Sequence, residues 1–116
     1  MTLAWYWYVL AAILVAVAIA MVRADRYTAA NTGYLYFIGG RKLGPIKVGV
    51  TKRSPEEKLE NLQAGNVLLL KMHGWVLVED PDETEGRIHN VLGPHHLEDS
   101  WYAREPALEV MRELMP

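Results

Sequence analysis

Residues 3–22, LAWYWYVLAAILVAVAIAMV, run for twenty positions without one charged side chain. At about 1.5 Å per residue, a helix of that length reaches about 30 Å, the thickness of a bilayer's hydrocarbon core. Backbone groups in lipid must bond within their own segment, so the run is expected to be helical. The pattern predicts a transmembrane helix over 1–24, a short linker over 25–32 and one small domain over 33–116. Trp5, Tyr6, Trp7 and Tyr8 crowd the start of the run, where amphipathic rings favour headgroups, and Arg23 and Arg26 follow its end. Basic residues mark the cytoplasmic side. The expected topology is therefore single-pass, with the N-terminus outside, the domain cytoplasmic and membrane lipid around residues 3–22.

Two other readings compete. A secretory signal peptide has a basic start and an apolar run of about 7–15 residues; here the start is uncharged and the run longer, although Ala18-Ile19-Ala20 imitates a cleavage site. A buried core helix would need more surrounding chain than the remainder offers. Alanines recur along the run (Ala11, Ala12, Ala16, Ala18, Ala20) without one dominant small-residue face, which leaves a homo-oligomer through the span open.

The rest of the chain has room for one modest core. Cysteine is absent, which excludes disulfides and thiolate metal sites. The net charge of −2 on its own argues against a nucleic-acid binder, but it hides an asymmetry. From Arg23 to Lys58 eight Lys/Arg face three Asp/Glu; from Leu59 onward four face eleven. A basic half suits phosphate and an acidic half suits a cation, although chance clustering of surface charge gives the same count.

YLYFIG at 34–39 alternates as strands do, GGRKLGP is turn material, and IKVGVT at 46–51 reads as the returning strand of a hairpin. Ser54-Pro55-Glu56-Glu57 starts a helix with a capping box, Leu59 and Leu62 inward, and Gly65 closing it in a left-handed conformation. VLLLKMHGWVLV at 67–78 is a third strand, bulged at Gly74. Asp80-Pro81-Asp82-Glu83 repeats the capping logic, and its helix stops at Gly93-Pro94. A polar loop with His95 and His96 leads to Ser100-Trp101-Tyr102, and Glu105-Pro106 begins a last helix. The expected order is β-β-α-β-α-α: an α+β domain whose antiparallel three-stranded sheet is flanked by helices.

Tyr34-Leu35-Tyr36 on the first strand and Lys47-Val48-Gly49-Val50-Thr51 on the second are followed by SPEEKLENLQAG, by Glu85 and His89 in an E-x-x-x-H pattern, and by Asp99-Ser100-Trp101-Tyr102. In that order they resemble the GIY-YIG nuclease superfamily, in the branch whose second tripeptide begins with Lys. The likeness covers roughly residues 33 to 103. It implies a GIY-YIG-like fold and an endonuclease that hydrolyses DNA phosphodiesters with one divalent cation, Mg²⁺ or Mn²⁺. It further implies that Glu85 binds the metal, that Tyr36 lies by the scissile phosphate with Lys47 facing it, and that Lys58 stands where the family carries Arg.

The chemistry of these residues is consistent with that reading. Phosphodiester hydrolysis needs charge neutralisation, an activated water and help for the leaving oxygen. Mg²⁺ keeps several waters and needs few protein ligands, so one carboxylate such as Glu85 is a reasonable holder; otherwise Glu85 belongs to a solvated acidic helix face. Tyr34 and Tyr36 share a strand face, where either can pack as core or act as general base if its pKa falls. Lys47 can depress that pKa, shuttle a proton if desolvated, or be a half-exposed strand lysine. Lys58 replaces a fixed guanidinium fork with a mobile point charge. Arg41, Lys42, Lys52 and Arg53 can supply nucleic-acid backbone contacts or be solvated turn residues. His89, one turn beyond Glu85 on the same face, can bind the metal weakly, orient a water beside it or simply bond a neighbour as a partly buried histidine, and His95-His96 carry no expected chemistry. No base-reading element is identifiable. Two readings from other classes stand beside the nuclease: a silent nucleic-acid-binding module, and a structural or interaction protein on a membrane anchor.

Overall fold

A computed structural model describes residues 9, 10, 13, 14 and 31–115. Five strands, β1 Gly33–Gly40, β2 Ile46–Thr51, β3 Leu70–Val78, β4 His96–Glu98 and β5 Trp101–Tyr102, form one sheet in the order β3-β1-β2-β5-β4. Every pairing is antiparallel. Three helices, α1 Pro55–Ala64, α2 Pro81–Leu92 and α3 Arg104–Leu114, complete an α+β domain.

Strand alternation divides the work between the two faces of the sheet. Leu35, Phe37, Ile46, Val48, Val76 and Val78 point to one face and are buried against Ile88 and Leu92 of α2 and Ala107, Leu108, Val110 and Leu114 of α3. Tyr36, Ile38 and Leu70 point the other way, where Leu59 and Leu62 of α1, Met72 and Trp101 pack on them. The α2 pattern makes this possible. Pro81, Thr84, Ile88 and Leu92 recur at helical spacing and are its buried residues, which leaves Glu85 and His89 outward on the flank.

The caps behave largely as read. The Ser54 hydroxyl accepts from the Glu57 amide at 3.2 Å, and an Asp80 oxygen accepts from the Glu83 amide at 3.2 Å. The Glu57 carboxylate, however, pairs with Arg53 at 2.9 Å instead of turning back to close a capping box.

Four expectations are corrected. The sheet has five strands rather than three, because residues read as a polar loop pair as β4 and β5. The third strand begins at Leu70; Val67, Leu68 and Leu69 are exposed loop, held out of the ladder by Gln63. The bulge falls one residue before Gly74: Phe37 pairs with Gly74 and Ile38 with Met72, so His73 is the extra residue. Gly65 closes α1 at φ −99°, with its amide bonded to the last-turn carbonyls, so no left-handed cap is needed.

The predicted span over 3–22 lies outside the described residues except at Val9, Leu10, Ile13 and Leu14, which are helical. Leu10 and Ile13 are buried with the larger cluster and Leu14 packs against it, at the i, i+3, i+4 spacing of one helix face. Among the described residues no helix is long and apolar enough to cross a membrane.

Candidate functional site

β5 pairs with β2 only at Ile46 and Lys47. Beyond that point no strand among the described residues pairs with the outer edge of β2, and the Val48 amide donates to the Ser100 carbonyl at 2.9 Å. Groups from both faces of the sheet meet around this open edge.

From the thinner face come Tyr36, Lys47 and Lys58. Tyr36 stands opposite Gly49 in the β1–β2 register. A Cβ at Gly49 would lie 2.5 Å from the Tyr36 hydroxyl and 2.9 Å from its Cζ, so only glycine lets that phenol cross β2 toward the edge. Lys47 donates to the Ser100 hydroxyl at 2.6 Å, with its ammonium 5.6 Å from the centroid of the Trp101 ring. Lys58, on α1, places its ammonium 5.9 Å from the centroid of the Tyr36 ring.

From the thicker face comes Glu85. It lines a cleft of about 380 Å³ with His89 of α2, Val48 of β2, Tyr102 of β5 and Asp99 and Ser100 of the connecting turn; Asp82 and Gly86 complete the wall. His89 Nδ1 and the Tyr102 hydroxyl are hydrogen-bonded. His96 packs edge-on against both rings, with centroids 5.5 Å away in each case, and its Nε2 bonds the Asp99 carbonyl. Asp99 adopts φ 50° in that turn, a conformation that short polar side chains tolerate.

The electrostatics tie the two faces together. Burial first, then the nearby Glu85 charge, pushes the Tyr36 phenol up to about 12. The same two causes raise Tyr102. Burial and then the neighbouring Lys58 pull Lys47 below the usual lysine range, against the opposing pull of Asp99 and Glu85. A raised phenol keeps its proton and is suited to donating a hydrogen bond, whereas a base role for Tyr36 calls for a lowered one. Lys47 is the group brought toward proton exchange.

Tyr36, Lys47, Lys58 and Glu85 are thus within electrostatic reach of one another. Tyr34 lies two residues along the same strand face, its ring edge-on to Trp75 with centroids 5.2 Å apart and an interplanar angle of 86°. Lys52 and Arg53 are exposed between β2 and α1, with Arg53 engaged by Glu57. Arg41 and Lys42 are exposed at the opposite end of β2, in the β1–β2 turn. Sequence reasoning missed His96 and undervalued Tyr102, because only the short β4–β5 pairing brings them to His89. It also missed Arg104, whose guanidinium donates to the Gly40, Arg41 and Gly44 carbonyls at 3.0, 2.8 and 3.4 Å and fixes the β1–β2 turn.

The donor set bears on the expected cation. Among the described residues no group of three His, Cys, Asp or Glu side chains converges as a metal cage. One exposed carboxylate in a cleft with Asp82 and Asp99 along its wall fits a largely hydrated Mg²⁺ or Mn²⁺, with Glu85 as the protein ligand. When bound, such a cation supplies charge neutralisation and polarises water. Compared with known proteins, the chain matches no family model, no curated protein and no solved structure.

Proposed function

We propose that this chain is a membrane-anchored endonuclease of GIY-YIG type that hydrolyses DNA phosphodiester bonds with Mg²⁺ or Mn²⁺. The observation that carries the reading is the meeting of Glu85, Lys47, Lys58 and Tyr36, from four different elements, at one open sheet edge. A phosphate entering there meets two ammonium groups and a phenol O–H, which neutralise and orient its non-bridging oxygens. Glu85, in the cleft, would hold the cation, which would supply charge neutralisation and polarise water. Lys47, pulled below its ordinary range, is the group suited to donate a proton to the departing oxygen. Ser100 orients the Lys47 ammonium through the 2.6 Å bond. His89, tied to Tyr102, stands one helical turn from Glu85, where it orients water in the cleft.

The test is nicking of supercoiled plasmid by the full-length chain in detergent, with Mg²⁺ or Mn²⁺, beside Glu85→Gln. Metal-dependent nicking that the variant loses supports the enzyme. Salt-sensitive DNA binding without nicking supports the silent module, a reading favoured by Lys58, since an ammonium cannot grip two phosphate oxygens as a guanidinium does. A gain in rate for Lys58→Arg would locate that side chain at the phosphate.

A membrane anchor suits a substrate that appears at the membrane, such as DNA entering the cell. The burial of Leu10 and Ile13 among the domain's apolar residues favours a second reading of the N-terminal run, as a helix covering the core. Alkaline carbonate washing of membranes separates them: an anchored chain stays with the lipid, and a core helix is released with its domain.

A further inference from the structure

The end of the domain at the β1–β2 turn carries a cluster of apolar side chains that neither core uses. Leu43, Leu68, Leu69 and Leu97 are between 59 % and 81 % exposed, and Val67 is fully exposed. They belong to three segments (the β1–β2 turn, the α1–β3 loop and β4), yet Leu43, Leu68 and Leu97 border one groove of about 280 Å³ together with Pro45 and Trp101. Large aliphatic side chains gathered at one end of a small domain mark a contact surface.

The backbone beneath them is prepared for a water-poor setting. Gln63 donates to the Asn66 and Leu68 carbonyls at 3.2 and 2.8 Å and accepts from the Leu70 amide at 2.7 Å. The Asn66 side chain accepts from the Leu68 amide at 3.0 Å. Arg104 serves the carbonyls of Gly40, Arg41 and Gly44 in the turn. Each backbone group bonded from within is one fewer to strip of water when such a loop enters an apolar layer, which lowers the cost of entry.

Charge selects the occupant. Arg41 and Lys42 adjoin Leu43, Lys71 follows Leu69 and Leu70, and Glu98 is the single carboxylate lining the groove. A second copy docked face to face would set these cations against their own images. Anionic headgroups above an acyl layer satisfy both the cations and the leucines. We infer that this tip is a lipid-docking surface, in which Leu43, Val67, Leu68, Leu69 and Leu97 enter the headgroup–acyl boundary of an anionic membrane. The inference is independent of the nuclease reading. Where residues 3–22 lie in the same bilayer, the ten residues 23–32 reach at most about 33–36 Å. That exceeds the roughly 26 Å rise of the eight-residue β1, so span and tip can meet one surface.

The chain has no cysteine, so single probes are clean. The full chain carrying Leu68→Cys, Leu97→Cys or, on the exposed side of α3, Glu113→Cys is labelled with an environment-sensitive fluorophore. It is then mixed with vesicles of phosphatidylcholine alone or with phosphatidylglycerol added, each containing lipid-borne quencher. The expected result is quenching at 68 and 97 but not at 113, stronger in anionic vesicles; Arg41→Ala with Lys42→Ala should lower the tip-inserted fraction there roughly tenfold or more. Vesicle-bound chain with all three probes alike shows attachment through residues 3–22 only and overturns the inference. So does failure to bind vesicles, or a probe at 68 already shielded, with doubled mass, before lipid is added.

Discussion

On one face of the sheet Leu35, Phe37 and Val78 meet Leu92 and Ala107, all sealed from solvent. On the other only Tyr36, Ile38 and Leu70 are buried, beside the half-buried Lys47 and Lys58. The thicker face can hold the fold because its side chains are almost all aliphatic or aromatic carbon, and the Tyr102 hydroxyl is bonded to His89. The thinner face can admit two ammonium groups because water still reaches them, and its single layer of cover from α1 keeps the phenol dry without burying the lysines outright. Apolar core and cationic groups thus alternate along the same strands, one residue apart, while Glu85 reaches the shared edge from the thicker face.

The largest test of that division is Phe37→Ala, which should cost about 3–5 kcal/mol and unfold much of the protein, as read from chemical denaturation. An equal loss for Ile38→Ala would show that the two faces share the structural burden after all. Next in size, Glu85→Gln should lower the metal-dependent rate about 100-fold or more while the melting temperature hardly moves, because that side chain is exposed. Gly49→Ala presses a methyl group onto the Tyr36 phenol and should cost about 1–3 kcal/mol together with activity; Tyr36→Ala in the same chain should recover part of the Gly49→Ala loss.

Tyr36 supplies a finer probe through pH. Its folded value of about 12 lies above the unfolded 10.0, so the native state holds the proton longer. Its contribution is full below about pH 10 and is lost as pH rises toward 12, by roughly 3 kcal/mol at most. Melting curves between pH 9 and 12 should fall less steeply for Tyr36→Phe; identical slopes would mean the phenol is not the group that resists ionisation. The smallest effect belongs to Arg53→Ala. Its ion pair with Glu57 is exposed, so the change should stay within about 1 kcal/mol and fade with salt.

The sequence made the thicker face easy to read. Alternation in YLYFIG and IKVGVT and the two proline-led helix starts are local signals, and the structure follows them. It was less informative where pairing is distant. β4 and β5 are three and two residues long, too short for any periodicity; β5 forms against β2, some fifty residues earlier in the chain, and β4 against β5. The run VLL at 67–69 has strand composition yet lies outside the ladder, since Gln63 claims the backbone there. Of the site, Glu85, Lys47, Lys58 and Tyr36 could be nominated from their pattern. The direction of the Tyr36 shift could not, because burial outweighs any nearby cation and the charge that counts is the carboxylate of Glu85. His96 and Arg104 had no local mark at all.

The guanidinium of Arg104 reaches back across 60 to 64 residues to hold the β1–β2 turn. A ribbon of neighbouring strands can zip up early, since its contacts are short in sequence, but this one acquires a fixed tip only after the final helix has docked. During synthesis the leucine-bearing end would therefore stay loose until residues 104–114 have left the ribosome.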